Sequence, residues 1–242
     1  MTRSLSIVIP AYNEVKRLPA TIQRVQCYLG RSDWVFSEIL VVDDGSRDAT
    51  VRTVQSMDSA GAPIRVLRNP GNRGKGYAVR NGVQKAKGDW ILVTDADLST
   101  PIEEIEKLWV AARDSSAQVI IGSRALDRSL IGVHQPLIRE SAGKLFNLAV
   151  RLATGLPFHD TQCGFKLLQS AAALTIFQRQ RIERFGFDVE ALVIARELGY
   201  SIVEVPVQWN DVAGTKVSTF SGLAAFLDPI RVRWNLLRGR YR

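Results

Sequence analysis

The stretch "GDWILVTDADLST" (residues 88–100) decides the fold, because it joins a buried strand pattern to a pair of charges. Its apolar run from Trp90 to Val93 predicts a strand, and two carboxylates, Asp95 and Asp97, follow the run at a spacing of two residues. Residues i and i+2 of an extended backbone point to the same face. The two negative charges therefore repel each other unless a cation lies near them. The stretch is compatible with a solvated acidic turn or with a divalent-metal site that holds a phosphate ligand.

Around this stretch, strand patterns alternate with helix patterns. Continuous Val, Ile and Leu runs predict strands, and segments with helical spacing of apolar residues lie between them. The predicted strands cover residues 5–12, 37–46, 64–70, 89–97 and 117–124, and the helices between the first four cover 17–29, 48–57 and 74–86. The pattern predicts an α/β fold whose mostly parallel central sheet is flanked by helices. Open sheets of this kind bind ligands at the carboxyl ends of their strands, which favours a ligand site at Asp95 and Asp97.

The helix after the acidic pair begins with a typical start signal. In "TPIEE" (residues 100–104), Thr100 is the expected N-cap and Pro101 the expected first helical residue. Glu103 is then expected to close a capping box with Thr100.

The pattern changes after about residue 126. A helix is predicted over residues 139–155, a strand over 200–209, and a basic helical tail from Phe220 onward. We expect a catalytic domain over residues 1–219 and a basic amphipathic helical extension over 220–242.

The composition limits the classes of protein to which the chain can belong. The 242 residues have the hydrophobic and charged fractions of an ordinary globular protein. The two cysteines, Cys27 and Cys163, lie far apart, which argues against a disulfide framework and fits a reducing compartment. No apolar run is long enough for a signal peptide or a spanning helix, so a soluble protein is expected. The net charge of +8 fits nucleic acid, an anionic membrane or a phosphate-rich ligand, but the aromatic pattern of a nucleic-acid module is missing.

Four polar motifs follow the first four predicted strands in order. They are "PAYNE" (10–14), "VDDGS" (42–46), "NRGKG" (72–76) and "DAD" (95–97). This ordered set closely resembles the nucleotide-sugar-binding core of the family 2 glycosyltransferases, whereas each motif alone is a weak signal. The resemblance implies a GT-A type, Rossmann-like nucleotide-binding fold.

Three later segments narrow the resemblance within that family. They are "GSR" (122–124), "DTQCGFKLL" (160–168) and "FGFDVEAL" (185–192). They are similar to segments of the polyprenyl-phosphate sugar synthases, and most of all to the dolichyl-phosphate β-glucosyltransferase group. The resemblance covers nearly the whole chain.

The resemblance implies a metal-dependent site at the acidic pair. Asp97 is expected to bind Mg²⁺ or Mn²⁺ directly and to be a catalytic residue, and Asp95 is expected on the ribose or beside the metal. Both metals prefer oxygen ligands and keep several waters, so one or two carboxylates suffice. The residues expected to bind the nucleotide sugar are Pro10, Ala11, Tyr12, Glu14, Asp43, Gly74, Lys75, Asp95 and Ala96.

Individual roles follow from the same resemblance. Asp43 is expected to accept a hydrogen bond from uracil, and Glu14 from ribose hydroxyls. Gly74 would let the backbone approach the nucleotide closely, and Lys75 would reach a phosphate. Asp43 and Asp44 also fit turn residues ahead of a helix, and both interpretations stay open.

The acceptor side of the site is implied by later residues. Arg124, Arg139 and Lys166 are expected to bind an acceptor phosphate, and Asp160 is the expected catalytic base. A phosphate monoester has its second pKa near ~6, so its attacking oxygen carries little proton to remove at neutral pH. Asp160 therefore has a second interpretation, in which it orients Lys166 or a sugar hydroxyl.

The function that the resemblance implies is an inverting, metal-dependent transfer of glucose from UDP-glucose to a polyprenyl phosphate, at the cytoplasmic face of a membrane. The alternatives are a GDP-mannose-dependent mannose synthase and a family member with a soluble acceptor. Outside this class, the alternative is a nucleotide-sugar-binding protein without turnover. Nucleic acid is not an expected partner.

The basic tail is where we expect any peripheral membrane contact. Four apolar residues have helical spacing there, and five arginines follow: Phe220, Leu223, Phe226, Leu227, Arg231, Arg233, Arg238, Arg240 and Arg242. Trp234 and Tyr241 are of residue types that favour a membrane interface. Amphipathicity fits a helix packed on the core equally well, so both interpretations stay open.

Overall fold

The computed structural model describes residues 3–59, 61–133, 137–212 and 227–241. The side chains of residues 137–142 and 144 are outside this description. The predictions for residues 220–226, for Arg242 and for the side chain of Arg139 therefore lie outside the described residues.

The first half of the chain alternates strand and helix as predicted. Its strands are β1 (Ser4–Ala11), β2 (Phe36–Asp43), β3 (Ile64–Arg68) and β4 (Trp90–Val93), and its helices are α1 (Leu18–Leu29), α2 (Thr50–Gln55) and α3 (Lys75–Lys85). β1 pairs in parallel with β2 on one side and with β4 on the other, and β2 pairs in parallel with β3.

The second half completes the sheet and adds helices. In chain order its elements are α4 (Ile105–Ser115), β5 (Val119–Ser123), β6 (Ile131–Val133), α5 (Leu137–Thr154), β7 (Lys166–Gln169), α6 (Ser170–Arg179), α7 (Phe187–Glu197), β8 (Ile202–Pro206), β9 (Trp209–Asn210) and α8 (Asp228–Leu237). The strand order of the main sheet is β3-β2-β1-β4-β7-β5-β8, and β6 pairs with β9.

The predicted α/β class with a mostly parallel sheet is confirmed. Alternate residues of β1 point into two different hydrophobic clusters, with Ile7 and Ile9 in one and Val8 in the other. The sheet is thus buried on both faces, which is why its strands have continuous apolar runs. Strand β7, which the sequence did not predict, is antiparallel to β4 and to β5.

The predicted capping box is wrong. Pro101 has extended backbone angles (φ −56°, ψ 143°), and a short 3₁₀ turn at Ile102–Glu104 precedes α4. The Thr100 hydroxyl is buried 4.0 Å from the Cys163 Sγ, so it does not cap a helix. Glu103 accepts a hydrogen bond from the Arg24 guanidinium instead.

The described part of the tail packs on the core. Val232 of α8 and Tyr241 are buried in the same hydrophobic cluster as α7. The Tyr241 hydroxyl donates to Glu190 Oε1 at 2.8 Å, and the backbone N–H of Ile182 donates to Glu190 Oε2 at 2.7 Å. The predicted interfacial position of Tyr241 is therefore wrong, because a buried carboxylate requires its hydroxyl.

The division between residues 219 and 220 stays a prediction, because residues 213–226 lie outside the described ranges. Within those ranges, no helix combines the length and the apolar character that crossing a membrane requires.

Candidate active site

The carboxyl ends of β1, β2, β3 and β4 bring the four polar motifs to one edge of the sheet. Ala11 and Asp43 are register partners at the ends of β1 and β2, and the Asp44 N–H donates to the Ala11 carbonyl at 2.8 Å. The Asn69 N–H, after β3, donates to the Asp43 carbonyl at 2.9 Å. The loops after β1, β2 and β3 are thus hydrogen-bonded to each other in strand order.

The two aspartates of the second motif have different partners. The Asp43 carboxylate accepts a hydrogen bond from the Ser46 N–H at 3.1 Å, which makes it a turn residue. The Asp44 carboxylate accepts from the Asn69 side chain and from the Gly74 N–H, both at 2.7 Å, and so holds the third motif in place. The turn interpretation therefore holds for Asp43, whereas Asp44 holds a distant loop, and the contact of Asp43 with a base stays a prediction.

The backbone at Gly74 packs closely against another segment of the protein. Its φ is 117°, and a Cβ there would lie 2.5 Å from the Glu183 carbonyl oxygen. The missing side chain lets the third motif pack against residues 183–184. Its contact with a nucleotide stays a prediction.

Arg17 joins the first motif to the acidic pair. Its guanidinium donates to both carboxylate oxygens of Glu14, at 2.6 and 2.8 Å, and its Nη1 lies 3.6 Å from Asp97 Oδ2. The hydrogen bond that the Arg17 guanidinium donates to Glu14 is the main cause of the raised Arg17 pKa. Asp97 Oδ1 accepts from the N–H and the hydroxyl of Ser99, at 3.1 and 2.9 Å. Arg17 was not predicted as a site residue, although its spacing of three residues from Glu14 was a signal.

Asp95 is paired with a lysine. The Lys75 ammonium lies 2.6 Å from Asp95 Oδ1. Burial by itself would raise the Asp95 pKa, but Lys75, followed by Lys166 and Arg124, outweighs that effect and lowers it. A Cβ at Gly164 would lie 2.1 Å from Asp95 Oδ2, so only glycine allows this approach.

Lys166 forms a second pair, and this pair is buried. Its ammonium donates to Asp188 Oδ1 and to the Cys163 carbonyl, both at 2.5 Å. Burial raises the Asp188 pKa more than Lys166 and Lys75 lower it. The predicted contact of Lys166 with a phosphate stays a prediction, and the two bonds described here use two of the three N–H donors of its ammonium. Asp188 lies in the quoted "FGFDVEAL" segment, but we gave it no role.

Asp160 and Arg124 form the third pair. Arg124 donates from Nε to Oδ2 at 2.6 Å and from Nη2 to Oδ1 at 2.9 Å, in a two-point contact. The backbone N–H groups of Arg124, Gln162 and Cys163 donate to the same carboxylate. Burial would raise the Asp160 pKa, but the Arg124 charge, the side-chain and backbone hydrogen bonds from Arg124, and the Lys166 charge lower it to about 2. A carboxylate in this state is a weak proton acceptor.

A pocket of about 490 Å³ opens beside this third pair. Its lining combines three arginines with apolar and aromatic side chains, among them Arg124, Arg128, Arg151, Leu148 and Trp209. The sequence did not single out Arg128 or Arg151, because surface arginines carry no motif signal. The backbone of Arg139 lies in α5, one of the helices that line the pocket.

The donor set fits a hard divalent cation. Asp95 and Asp97 supply carboxylate oxygens at the end of β4, and such cations accept further oxygens from phosphates and water. Among the described residues, no group of three or more His, Cys, Asp or Glu side chains could hold a metal by itself. A cation at the acidic pair would therefore depend on a ligand that brings phosphate oxygens.

Comparison with known sequences gives matches that agree with one another. The sequence profile of Glycosyl transferase family 2 matches residues 6–177. The dolichyl-phosphate β-glucosyltransferase of Mus musculus is 38% identical over 254 residues, covering 100% of this chain and 78% of the mouse protein. The protein of that name from Saccharomyces cerevisiae is 32% identical, covering 98% of this chain and 76% of its own length.

Comparison with solved structures shows a shared GT-A type fold. Glucosyl-3-phosphoglycerate synthase from Mycobacterium tuberculosis, solved with Mn²⁺, UDP-glucose and phosphoglyceric acid, has a TM-score of 0.67 at 19% identity, covering 96% of this chain and 80% of that chain. Mannosyl-3-phosphoglycerate synthase from Rubrobacter xylanophilus has a TM-score of 0.69 at 18% identity, covering 98% and 75%.

The Asp160 pKa predicts an acid-dependent stability. A carboxylate whose pKa is lowered by folding stabilises the fold above its unfolded pKa, near ~3.9, and this contribution is lost as the pH falls through about 2. A difference of about two pKa units corresponds to roughly 2–3 kcal/mol. In urea unfolding, the stability gap between wild type and Asp160→Asn should therefore shrink by about that amount between pH ~5 and ~2. A gap that is equal at both pH values would contradict the assignment.

Proposed function

The chain belongs to glycosyl transferase family 2, and on that premise we propose that it is an inverting enzyme that moves glucose from UDP-glucose to a polyprenyl phosphate of the dolichyl type. One observation carries the proposal: Arg124 and Asp160 line the arginine-rich, partly apolar pocket, and the Arg124 charge also acts on Asp95 of the acidic pair at the end of β4. A donor diphosphate and an acceptor phosphate would thus lie side by side. The relatives named dolichyl-phosphate β-glucosyltransferase, at 32–38% identity, support the sugar and the acceptor.

The donor half uses the four motifs at the sheet edge. Glu14 and Asp43 are the proposed acceptors for ribose and uracil, and Lys75 is the proposed partner of a phosphate. UDP-glucose bound to a structural neighbour with the same fold supports this donor. Lys75 already neutralises Asp95 at 2.6 Å, so an incoming diphosphate would compete with that carboxylate for the ammonium.

A divalent cation, Mg²⁺ or Mn²⁺, is proposed at Asp95 and Asp97. Mn²⁺ in the neighbouring structure supports this proposal. Such a cation would neutralise charge that develops on the diphosphate leaving group. Ser99 fixes the Asp97 carboxylate through Oδ1, which leaves Oδ2 facing the edge where Arg17 lies. Asp97 would therefore bind the cation through a carboxylate that is already oriented.

The acceptor half uses the pocket. An oxygen of the acceptor phosphate attacks the anomeric carbon, the bond from that carbon to the diphosphate breaks, and the diphosphate leaves with the bonding electrons. An α-linked donor then gives a β-linked product, in agreement with the names of the relatives. The nucleophile is mostly a dianion at neutral pH. Bringing it beside an anionic donor requires positive charge, which Arg124 and Arg139 are proposed to supply.

The geometry favours a positioning role for Asp160. With a pKa of about 2, it is a poor match for a phosphate whose second pKa is near ~6, because proton transfer between them would be strongly uphill. Its two-point contact instead fixes the Arg124 guanidinium at the mouth of the pocket. We therefore propose Asp160 as the residue that aims Arg124, and not as the base.

The proposed site of action is the cytoplasmic face of a membrane, with the protein bound peripherally. The acceptor chemistry supports this location, because a polyprenyl chain partitions into a bilayer.

The function can be tested with labelled UDP-glucose and GDP-mannose, each offered with a short-chain isoprenyl phosphate or with 3-phosphoglycerate. We expect transfer from UDP-glucose to the isoprenyl phosphate. Preference for GDP-mannose would favour the mannose-synthase alternative, and transfer to phosphoglycerate alone would favour a soluble acceptor. Binding of UDP-glucose without any transfer would indicate a non-catalytic binding protein.

The metal proposal predicts the effect of Asp97→Asn. The asparagine keeps an oxygen for the Ser99 hydrogen bonds but loses the charge, so turnover should fall by more than about 100-fold with little change in melting temperature. Excess EDTA should have the same effect on the wild type. Asp127→Asn is a matched control, because Asp127 accepts the same two hydrogen bonds from Ser129. Full wild-type turnover in EDTA would refute the metal assignment.

The positioning role predicts how Asp160→Asn responds to pH. If Asp160 aims Arg124, the variant should lose acceptor use by a similar factor below and above the phosphate pKa near ~6. If Asp160 removes a proton, the defect should shrink as the pH rises and the dianion becomes dominant. Acceptor kcat/KM of wild type and variant, measured across this range, distinguishes the two roles. A defect that disappears at alkaline pH would restore Asp160 as the base.

A further inference from the structure

Exposed apolar side chains are concentrated on two helices. Of the twelve large apolar residues that are exposed within the described ranges, seven lie on α5 or on α8 and the residue before it. Isolated exposed apolar residues are normal on a soluble protein, but a contiguous group indicates a contact surface.

Helix α5 has one buried and one exposed apolar face. Phe146 and Val150 are buried in a hydrophobic cluster. Leu145, Leu148 and Leu152 are 62%, 52% and 80% exposed, and their spacing of three and four residues places them on one face of the helix. The exposed leucines therefore form a stripe that faces away from the core.

Helix α8 has the same arrangement. Its buried side includes Val232, in the same cluster. Its exposed apolar residues again have helical spacing: Leu227, Ile230, Trp234 and Leu237. Arg231, Arg233 and Arg238 are exposed beside this stripe, and the Arg238 guanidinium lies 4.3 Å from the centre of the Trp234 ring. Apolar residues flanked by arginines and a tryptophan are typical of helices that lie in a membrane interface.

The two stripes belong to one side of the molecule. Helices α5 and α8 contact each other, and both turn their buried faces toward the same cluster. Leu148 belongs to the α5 stripe and also lines the pocket, and Arg151 lies one turn further along at the pocket wall. The apolar surface is therefore continuous with the mouth of the pocket.

We propose that this α5–α8 face, defined by Leu145, Leu148, Leu152, Leu227, Ile230, Trp234 and Leu237, docks on the surface of an anionic lipid bilayer. The proposal depends on the proposed function only in one respect, namely that a lipid-linked acceptor phosphate enters the pocket from that bilayer. The arginines complement anionic headgroups, each contributing on the order of 1 kcal/mol near such a surface. In a symmetric dimer through this face, the arginines of one copy would lie opposite the same arginines of the other. Repulsion between these like charges disfavours a second copy of the chain as the partner.

The structure also revises where the contact lies. The sequence placed a membrane contact in the tail alone, with Tyr241 at the interface. Tyr241 is buried, whereas α5, which the sequence did not assign to the membrane, supplies three of the seven exposed apolar residues. The packed-helix interpretation therefore holds for one face of the tail helix, and the membrane interpretation is part of this proposal for its other face.

The test is co-sedimentation with vesicles that contain phosphatidylglycerol, using wild type and the double variant Leu152→Glu/Ile230→Glu. Both positions are largely exposed, so the fold should tolerate the change. We expect the bound fraction to fall at least about tenfold, because two apolar contacts are lost and two like charges meet the anionic surface. The matched control is Val35→Glu/Val110→Glu, which changes two exposed apolar residues away from this face and should bind as wild type does.

Turnover separates this inference from the proposed function. The double variant should use a short isoprenyl phosphate in solution as wild type does, but use a long-chain polyprenyl phosphate in vesicles poorly. If no isoprenyl phosphate is used by either protein, the proposed function fails, and the vesicle assay still decides the docking surface. Equal vesicle binding by wild type and the double variant, or no binding by wild type, would overturn the inference. Concentration-dependent dimerisation that the double variant abolishes, without vesicle binding, would identify the face as a dimer contact and would also overturn it.

Discussion

Two carboxylates of like charge at the end of one buried strand are the constraint on which the site depends. Asp95 and Asp97 follow β4, which ends at Val93, and the structure compensates each with its own cation. Lys75 lies 2.6 Å from Asp95, and Arg17 lies 3.6 Å from Asp97. Because each cation belongs to a different loop, this compensation fixes the loops that follow β1 and β3 relative to β4. The same contacts therefore neutralise the two carboxylates and hold the loops of the site together.

The compensation continues into the second half of the chain as further pairs. Lys166 binds Asp188, and Arg124 binds Asp160, so cations and anions alternate from the acidic pair to the pocket. Side chains held in these ion pairs lose little further conformational freedom when an anionic ligand binds. The site is therefore preorganised. It also explains why Asp95 and Asp160 have lowered pKa values despite their burial.

Sequence reasoning succeeded where the signal was local. The first four strands follow from continuous apolar runs, and the polar motifs follow from their position at strand ends. It failed where a contact with a residue distant in sequence determines the local conformation. The Thr100 hydroxyl lies beside the Cys163 Sγ and does not form the expected cap. The Tyr241 hydroxyl donates a hydrogen bond to Glu190 inside the core. Strand β7 is only four residues long, and it exists because β4 and β5 pair with it on either side.

The hydrogen bond between Tyr241 and Glu190 spans 51 residues of sequence. Glu190 lies on α7, whose first turn carries Asp188, the partner of Lys166. During translation, α7 emerges from the ribosome well before Tyr241 does, at rates of about 5–20 residues per second. For those seconds Glu190 lacks the donor to its Oε1, and a buried carboxylate without its full set of donors is unstable. The helix that carries Asp188, the buried partner of Lys166, thus reaches its final packing late in synthesis, and a nascent chain that stops before Tyr241 lacks that packing.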